Sequence, residues 1–280
     1  MIYALHVSGA SRLAIGSSAP VVSVRPVAIV TGASRGIGRA CALALGASGF
    51  NAVLADLPGT ADGPLRETAH EVLARDVDVV TVVTDVARLD QHASLLDAAT
   101  ARWGRVDCLV NNAGVGVMQR GDVLDVTPES FDRCIAVNTR AVFFLTQRAA
   151  RVMLAQPAMA GQHRSIITVT SSNAVAVSIA RGEYCVSKSA ASMVARVFAV
   201  RLADAGIGVY EVRPGVIETD MTLPVKDTYD RAIADGLVPA RRWGTPDDVA
   251  ATVRSMAEGR LVYTVGQSVA VDGGLTIPRF

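Results

Sequence analysis

The sequence predicts an α/β protein: a doubly wound parallel sheet of about seven strands with helices on both faces. Three observations carry that expectation. Short runs rich in β-branched residues, such as VAIVT at 27–31, recur along the chain. Stretches with helical spacing separate them, as in βαβ units. The strand runs are apolar almost throughout instead of alternating, as strands covered on both faces are.

The elements follow in order. VAIVT (27–31) ends in a glycine-rich turn, and RACALALGASG (39–49) carries helical spacing and closes on Gly49. NAVLADL (51–57) reads as the second strand, broken by Pro58, Gly59 and Gly63. A helix over about 64–75 leads to VDVVTVVTDV (77–86), and another over about 88–102 leads to DCLVNNAG (107–114). After Pro128 one long helical stretch runs through Met153, followed by a strand in RSIITVTSS (164–172). A helix from about Glu183 to Ala205 precedes GIGVYEVRPG (206–215), and SVAVDGG (268–274) supplies the last strand. Nothing between Val27 and Phe280 reads as a linker or a repeat, so residues 26–280 are expected to form one domain. Residues 1–25, rich in Ser, Ala and Gly with no clean period, are expected to form a loosely ordered extension.

Composition excludes several classes. Half the residues are hydrophobic and 19% are charged, which supplies a large core and argues against disorder. A net charge of +1 leaves no footprint for nucleic acid or an anionic membrane. No apolar run reaches the roughly 18 residues of a membrane span. The first 20 residues lack a basic region ahead of their apolar part and make a poor secretory signal. Cys41, Cys108, Cys134 and Cys185 lie far apart, and the four histidines show no ligand spacing. Reduced cysteines, a cytoplasmic location and no metal are therefore expected.

The turn TGASRGIG (31–38) joins the first strand to the first helix, where a dinucleotide pyrophosphate would sit. Gly32, Gly36 and Gly38 let the backbone turn tightly and approach phosphate, and the helix N-terminus offers free N–H groups. Glycines also serve ordinary turns, so the placement carries more weight than the count. Asp56 closes the second strand, where an adenosine ribose would lie. A carboxylate there can accept both ribose hydroxyls of NAD and repels a 2′-phosphate, so NAD is favoured over NADP.

A second oddity lies in EYCVSKSA (183–190). Of 27 basic residues only Lys188 and Lys226 are lysine, and Lys188 follows Tyr184 by four. On a helix those positions share a face.

The spacing Gly-x3-Gly-x-Gly resembles the short-chain dehydrogenase/reductase family in its single-domain branch. Other motifs stand in that family's order: Asp85 in TDV, NNAG at 111–114, Asn138 in AVNT, Ser171 in TVTSS, Tyr184-x3-Lys188, and Pro214-Gly215 followed by Thr219. The resemblance covers about residues 26–280 and is strongest, through RPG, DMT and VDGG, to 3-oxoacyl carrier-protein reductases. It implies a Rossmann-type fold and hydride transfer between a nicotinamide and a carbonyl or secondary alcohol. It assigns catalysis to Asn138, Ser171, Tyr184 and Lys188, with Ser172 the adjacent competitor of Ser171. It also places Gly32, Ser34, Arg35, Gly36, Ile37 and Gly38 at the cofactor. Asp85 and Val86 would border the adenine, and Asn111, Asn112, Ala113 and Gly114 would line the cleft. Pro214, Gly215, Ile217 and Thr219 would lie near the nicotinamide amide, and Tyr184 and Lys188 would contact the cofactor too.

The chemistry explains the lysine. A phenol with a pKa near 10 is about 0.1% ionised at pH 7, and a nearby positive charge favours phenolate. An ammonium is compact and has three rotatable donors, so it can also reach ribose hydroxyls; the planar fork of arginine fills that space differently. Arg35, in the turn where basic residues accompany NADP in parts of the family, opposes the NAD reading unless it swings into solvent or pairs with Asp56.

A sugar or polyol dehydrogenase is the alternative activity, and a catalytically silent nucleotide sensor is the non-enzymatic one. An epimerase or dehydratase would differ in glycine spacing. The segment between Thr219 and Thr245, with Met221, Leu223, Pro224, Tyr229 and Trp243, is expected to form a lid. Arg148 and Arg151 are candidates for carrier-protein docking. Relatives usually form tetramers through two long helices, here about 131–153 and 183–205. The second carries Met193, Val194, Val197, Phe198 and Val200, more apolar residues than one buried stripe needs.

Overall fold

The structure, a computed structural model, describes residues 2–4 and 24–279. Seven strands run parallel: β2 (Val27–Thr31), β3 (Asn51–Asp56), β4 (Val79–Val83), β5 (Cys108–Asn111), β6 (Arg164–Val169), β7 (Ile207–Pro214) and β8 (Ser268–Val271). An eighth strand that the sequence pattern did not predict, β1 (Ile2–Ala4), pairs antiparallel with β4. It belongs to the stretch expected to be a loose extension; residues 5–23 lie outside the described residues. The order across the sheet is β1-β4-β3-β2-β5-β6-β7-β8.

Because the pleat has a period of two, β2 serves two cores. Ala28 and Val30 pack toward α1 (Gly36–Ala47), α2 (Pro64–Leu73) and α8 (Pro246–Ala257). Val27 and Ile29 pack toward α3 (His92–Trp103), α5 (Val142–Ala155) and α6 (Gly182–Leu202). All five β2 residues are buried, which explains the unbroken apolar run.

Two helical features differ from the sequence reading. The stretch after Pro128 is not one α-helix: α4 (Pro128–Ile135) and α5 are joined by a π-turn, Ala136–Ala141. Such turns often accompany functional sites, and this one contains Asn138. Helix α8 was missed, although its start is written in TPDD. Thr245 caps the Asp248 N–H, Asp248 returns the bond to the Thr245 N–H, and Pro246 opens the helix. The expected lid segment holds α7 (Lys226–Ala234), whose Tyr229 meets Trp243 edge-on at 5.7 Å.

Candidate active site

The strand order reverses between β2 and β5, so their carboxyl ends open a crevice. The glycine turn is stitched there to NNAG. Asn112 donates from Nδ2 to the Thr31 carbonyl at 2.9 Å and the Gly32 carbonyl at 3.1 Å. Thr31 Oγ1 accepts from the Asn112 and Ala113 N–H groups, both at 3.1 Å. Gly32 has φ +67°, and a Cβ on Gly38 would stand 1.9 Å from the Gly32 carbonyl oxygen. That position therefore admits glycine only. Gly36, at φ +54°, faces the Thr219 methyl.

Asp56 lies beside this turn, held in one orientation. Its Oδ2 accepts from the Ser34 N–H at 2.9 Å and its Oδ1 from the Leu57 N–H at 2.8 Å. The Thr84 N–H donates to the Asp56 carbonyl at 2.8 Å, bringing the turn with Asp85 and Val86 alongside. Asp85 caps that turn by accepting from Ala87 N–H, and His92 holds the Val86 carbonyl at 2.7 Å. Arg35 neither pairs with Asp56 nor stands alone: its exposed guanidinium meets Asp220 at 3.4 Å. Ile37 packs partly buried against the core below the turn.

On the far side of the crevice, Pro214 ends β7 and the Gly215 N–H donates to the Val271 carbonyl at 3.0 Å. A Cβ on Gly215 would stand 2.7 Å from Asp272 Cα, so this crossing also requires a bare backbone. Ile217 bridges to Gly244, and the Thr219 N–H donates to Thr222 Oγ1 at 3.0 Å.

The four expected catalytic residues converge near the ends of β5 and β6. Asn138, fully buried, accepts from the Val115 N–H at 2.9 Å and donates to the Val115 carbonyl and Ser187 Oγ, both at 3.0 Å. Lys188, one residue on, donates to the Val169 carbonyl at 3.1 Å. Its Nζ lies 5.7 Å from the centre of the Tyr184 ring. Gly114 is pressed between these groups: a Cβ there would meet Asn138 Oδ1 at 3.2 Å and Lys188 Nζ at 3.3 Å. Ser171 is the serine that acts on the Tyr184 phenol, pulling its pKa down, and its Oγ accepts from the Asn173 N–H at 3.1 Å.

Electrostatics depart from the simple expectation about the lysine. Burial is the largest influence on both groups. It pushes the Tyr184 phenol above its ordinary range despite the Ser171 hydroxyl and the Arg181 guanidinium, which pull it down. It pushes the Lys188 ammonium down to about 8, although Glu211 opposes this. The bare site thus keeps the phenol protonated at neutral pH.

Asn111 is a correction. Its side chain turns away from the crevice and donates to Thr146 Oγ1 at 2.9 Å in the core, while Asn112 faces the turn. The alternation at a strand end contains that signal. Two further features escaped the sequence reading. Arg181 lies over the Tyr184 ring, 5.8 Å from its centre. Buried Glu211, paired with Arg213, bonds Thr170, next to Ser171, and Ser192, one turn beyond Lys188. Two opposite charges in the apolar run VYEVRPG were the available sign.

The crevice fits a dinucleotide. Its three glycines lack side chains where phosphate would approach, Ser34 Oγ is buried without a partner among the described residues, and Asp56 points a carboxylate beside the turn.

A family model described as enoyl-(acyl carrier protein) reductase matches residues 32–276. A 2-dehydro-3-deoxy-D-gluconate 5-dehydrogenase of Dickeya dadantii is 32% identical over 250 residues, covering 89% of this chain and 94% of that protein. Among solved structures, a 3-oxoacyl-[acyl-carrier protein] reductase from Brucella melitensis in complex with NAD is 41% identical with a TM-score of 0.88. That match covers 92% of this chain and all of the other. A structure described as a putative 2-deoxy-D-gluconate 3-dehydrogenase from Agrobacterium tumefaciens, with bound NADP, is 29% identical with a TM-score of 0.79. It covers 91% of this chain and 98% of the other.

Proposed function

The chain belongs to the short-chain dehydrogenase/reductase family, and from that premise we propose how this NAD(P)-dependent oxidoreductase handles a carbonyl or secondary alcohol. The observation that carries the reading is the convergence of Ser171, Tyr184, Lys188 and Asn138 at the mouth of a dinucleotide crevice, with Lys188 Nζ 5.7 Å from the centre of the Tyr184 ring.

Tyr184 is the acid/base: its Oη gives a proton to the substrate oxygen in reduction and takes one in oxidation. Ser171 donates to the same oxygen and fixes its distance from the phenol. Lys188 holds the proton path behind Tyr184, its orientation set by the Val169 carbonyl, and Asn138 keeps the Val115 backbone in register with that path. The nicotinamide, when bound, supplies or accepts the hydride. The phenol is protonated at neutral pH, the form from which reduction starts.

The reduced partner is of the 3-oxoacyl thioester type, in line with the Brucella reductase. The Dickeya enzyme's name supports a second reading, a sugar-acid dehydrogenase. A catalytically silent protein on this fold is disfavoured by the intact set of four.

NAD is the preferred dinucleotide, since Asp56 is fixed and Arg35 is engaged by Asp220. A homotetramer is supported by α6, where Met193, Val197 and Val200 stand exposed on a helix whose Val194 and Phe198 are buried. Residues 26–280 form one catalytic domain in this reading, and the enzyme works in the cytoplasm.

The test is oxidation of NADH and NADPH with acetoacetyl thioesters and with keto-sugar acids, read at 340 nm. Tyr184→Phe should lose nearly all turnover while keeping dinucleotide affinity. Loss of affinity together with turnover would sink the role given to the phenol.

A further inference from the structure

The active-site mouth contains a cation that the acid/base chemistry does not use. Arg181 stands three residues before Tyr184, at the N-cap of the 21-residue helix α6. A positive charge there opposes the positive end of the helix dipole, so the position costs stability unless an anion offsets it. Among the described residues Arg181 makes no ion pair. Its guanidinium has two long contacts, 3.5 Å to Ser178 Oγ and 3.4 Å to the hydroxyl of Tyr229 on the lid helix, and it lies over the Tyr184 ring.

Nearby carboxylates are engaged elsewhere. Glu183, in the same turn of α6, is buried and accepts from Ser130 Oγ at 2.6 Å. Asp230, on the lid helix beside Tyr229, accepts from Trp243 Nε1 at 2.6 Å and pairs with Lys226. The half-buried guanidinium therefore bridges the gap between the catalytic helix and the lid with its charge unanswered. Its hydroxyl partners accept weakly and leave most of its five donors free.

We propose that Arg181 is a specificity-determining residue that binds a carboxylate carried by the substrate, so that the enzyme acts on oxo acids and the matching hydroxy acids with a free carboxylate. This deepens the carbonyl/alcohol reading above and rests on it, and it favours the sugar-acid reading over the thioester one, because a thioester has no free carboxylate to offer Arg181. A carboxylate accepts bidentately from a guanidinium, which orients as well as binds. Docked at Arg181, it sets the reach from the anchor to the Tyr184 phenol, and so selects substrates by the spacing of carbonyl and carboxylate. The Tyr229 contact then gives the lid a way to sense the occupied anchor.

The experiment uses 3-oxobutanoate, 4-oxopentanoate and 5-oxohexanoate, each paired with its methyl ester, on the full chain. Binding to the NAD complex is measured by calorimetry, and reduction is measured with NADH. At least one acid should exceed its ester tenfold or more in kcat/KM. Arg181→Leu should cut that acid-over-ester ratio ten- to a hundredfold, chiefly through KM for the acid, and Arg181→Lys should restore part of it. A merely structural arginine would change acid and ester alike and leave the ratio intact, which overturns the proposal. Equal preference for acid and ester in the unmutated protein also overturns it. Acid binding that depends on Arg181 without any turnover upholds the anchor and instead defeats the carbonyl reading. Turnover of neutral ketones with no response to acids does the reverse.

Discussion

Gly114 and Lys188 are packed so closely that a single methyl group on the glycine would stand 3.3 Å from the ammonium nitrogen. The same methyl would meet Asn138 Oδ1 at 3.2 Å. The NNAG glycine is thus a spacer that sets where the ammonium rests. Gly114→Ala should fold, because the lysine end can yield by a few tenths of an ångström. The shift should lower kcat by about tenfold, since misplacement by 1 Å costs about a hundredfold. Steady-state kinetics with unchanged thermal stability would bear this out; unaltered kcat would show that the spacing is slack.

How much of this site was legible depends on what each residue writes into the sequence. The strands were readable because burial on both faces leaves nothing charged in runs such as VAIVT. Tyr184 and Lys188 were readable because helical spacing alone puts them on one face. The π-turn was not, because it adds one residue to a turn without changing composition, and so leaves Asn138 looking like any helical polar residue. The eighth strand was hidden because three residues pairing across the sheet edge carry no local period. Arg181 reads in sequence as a solvated charge before a helix, and the Tyr184 ring beneath it and the Tyr229 hydroxyl beside it say otherwise.

Lys188 should respond to pH in a definite direction. Its folded pKa, about 8, lies below the ordinary lysine value of 10.5. Between those values the unfolded chain binds more protons, so stability rises with pH; the stabilising effect is complete above about 10.5 and is lost as pH falls to about 8. At pH 7 the buried charge is a burden of about 3 kcal/mol. Lys188→Met should therefore stabilise the dinucleotide-free protein at pH 7, and its advantage should shrink toward pH 10, while abolishing turnover. Urea midpoints across that range measure it, and an advantage independent of pH would refute the assignment. Lys188→Arg should keep the fold and lose at least tenfold in turnover, because charge is retained while shape changes.

Buried Glu211 and partly buried Arg213 make an ion pair whose worth lies in completeness. Glu211 accepts from Arg213 Nε and Nη2, both at 2.9 Å, and from Thr170 and Ser192 at 2.5 and 2.8 Å, with Ser268 as a further donor. Burial raises its carboxyl most, but the bonds together hold it below the ordinary range. Removing one partner strands the other charge, so Arg213→Met should cost about 3–5 kcal/mol. Glu211→Met combined with Arg213→Leu should recover much of that, because a matched apolar pair leaves no charge unpaired. Chemical denaturation of both single variants and the double variant decides it; additive losses would show that the pair is not a unit.

Asp56 should decide which dinucleotide is used. Its carboxylate is oriented by the Ser34 and Leu57 N–H groups, so it cannot retreat from the ribose site as a free surface acid could. A 2′-phosphate there would meet it at about 4 Å, a like-charge contact costing on the order of 1–4 kcal/mol per charge pair near a surface. Arg35 can offset this only by leaving Asp220, and their exposed 3.4 Å contact is weak enough to break. The fixed carboxylate should therefore outweigh the movable guanidinium. The ratio of kcat/KM for NADH over NADPH should exceed one, and Asp56→Ala should lower it by at least tenfold, mainly through tighter binding of NADPH. Asp220→Ala should lower it less, by freeing Arg35 while the carboxylate stays in place. A native preference for NADPH would mean that the guanidinium, not the carboxylate, faces the ribose.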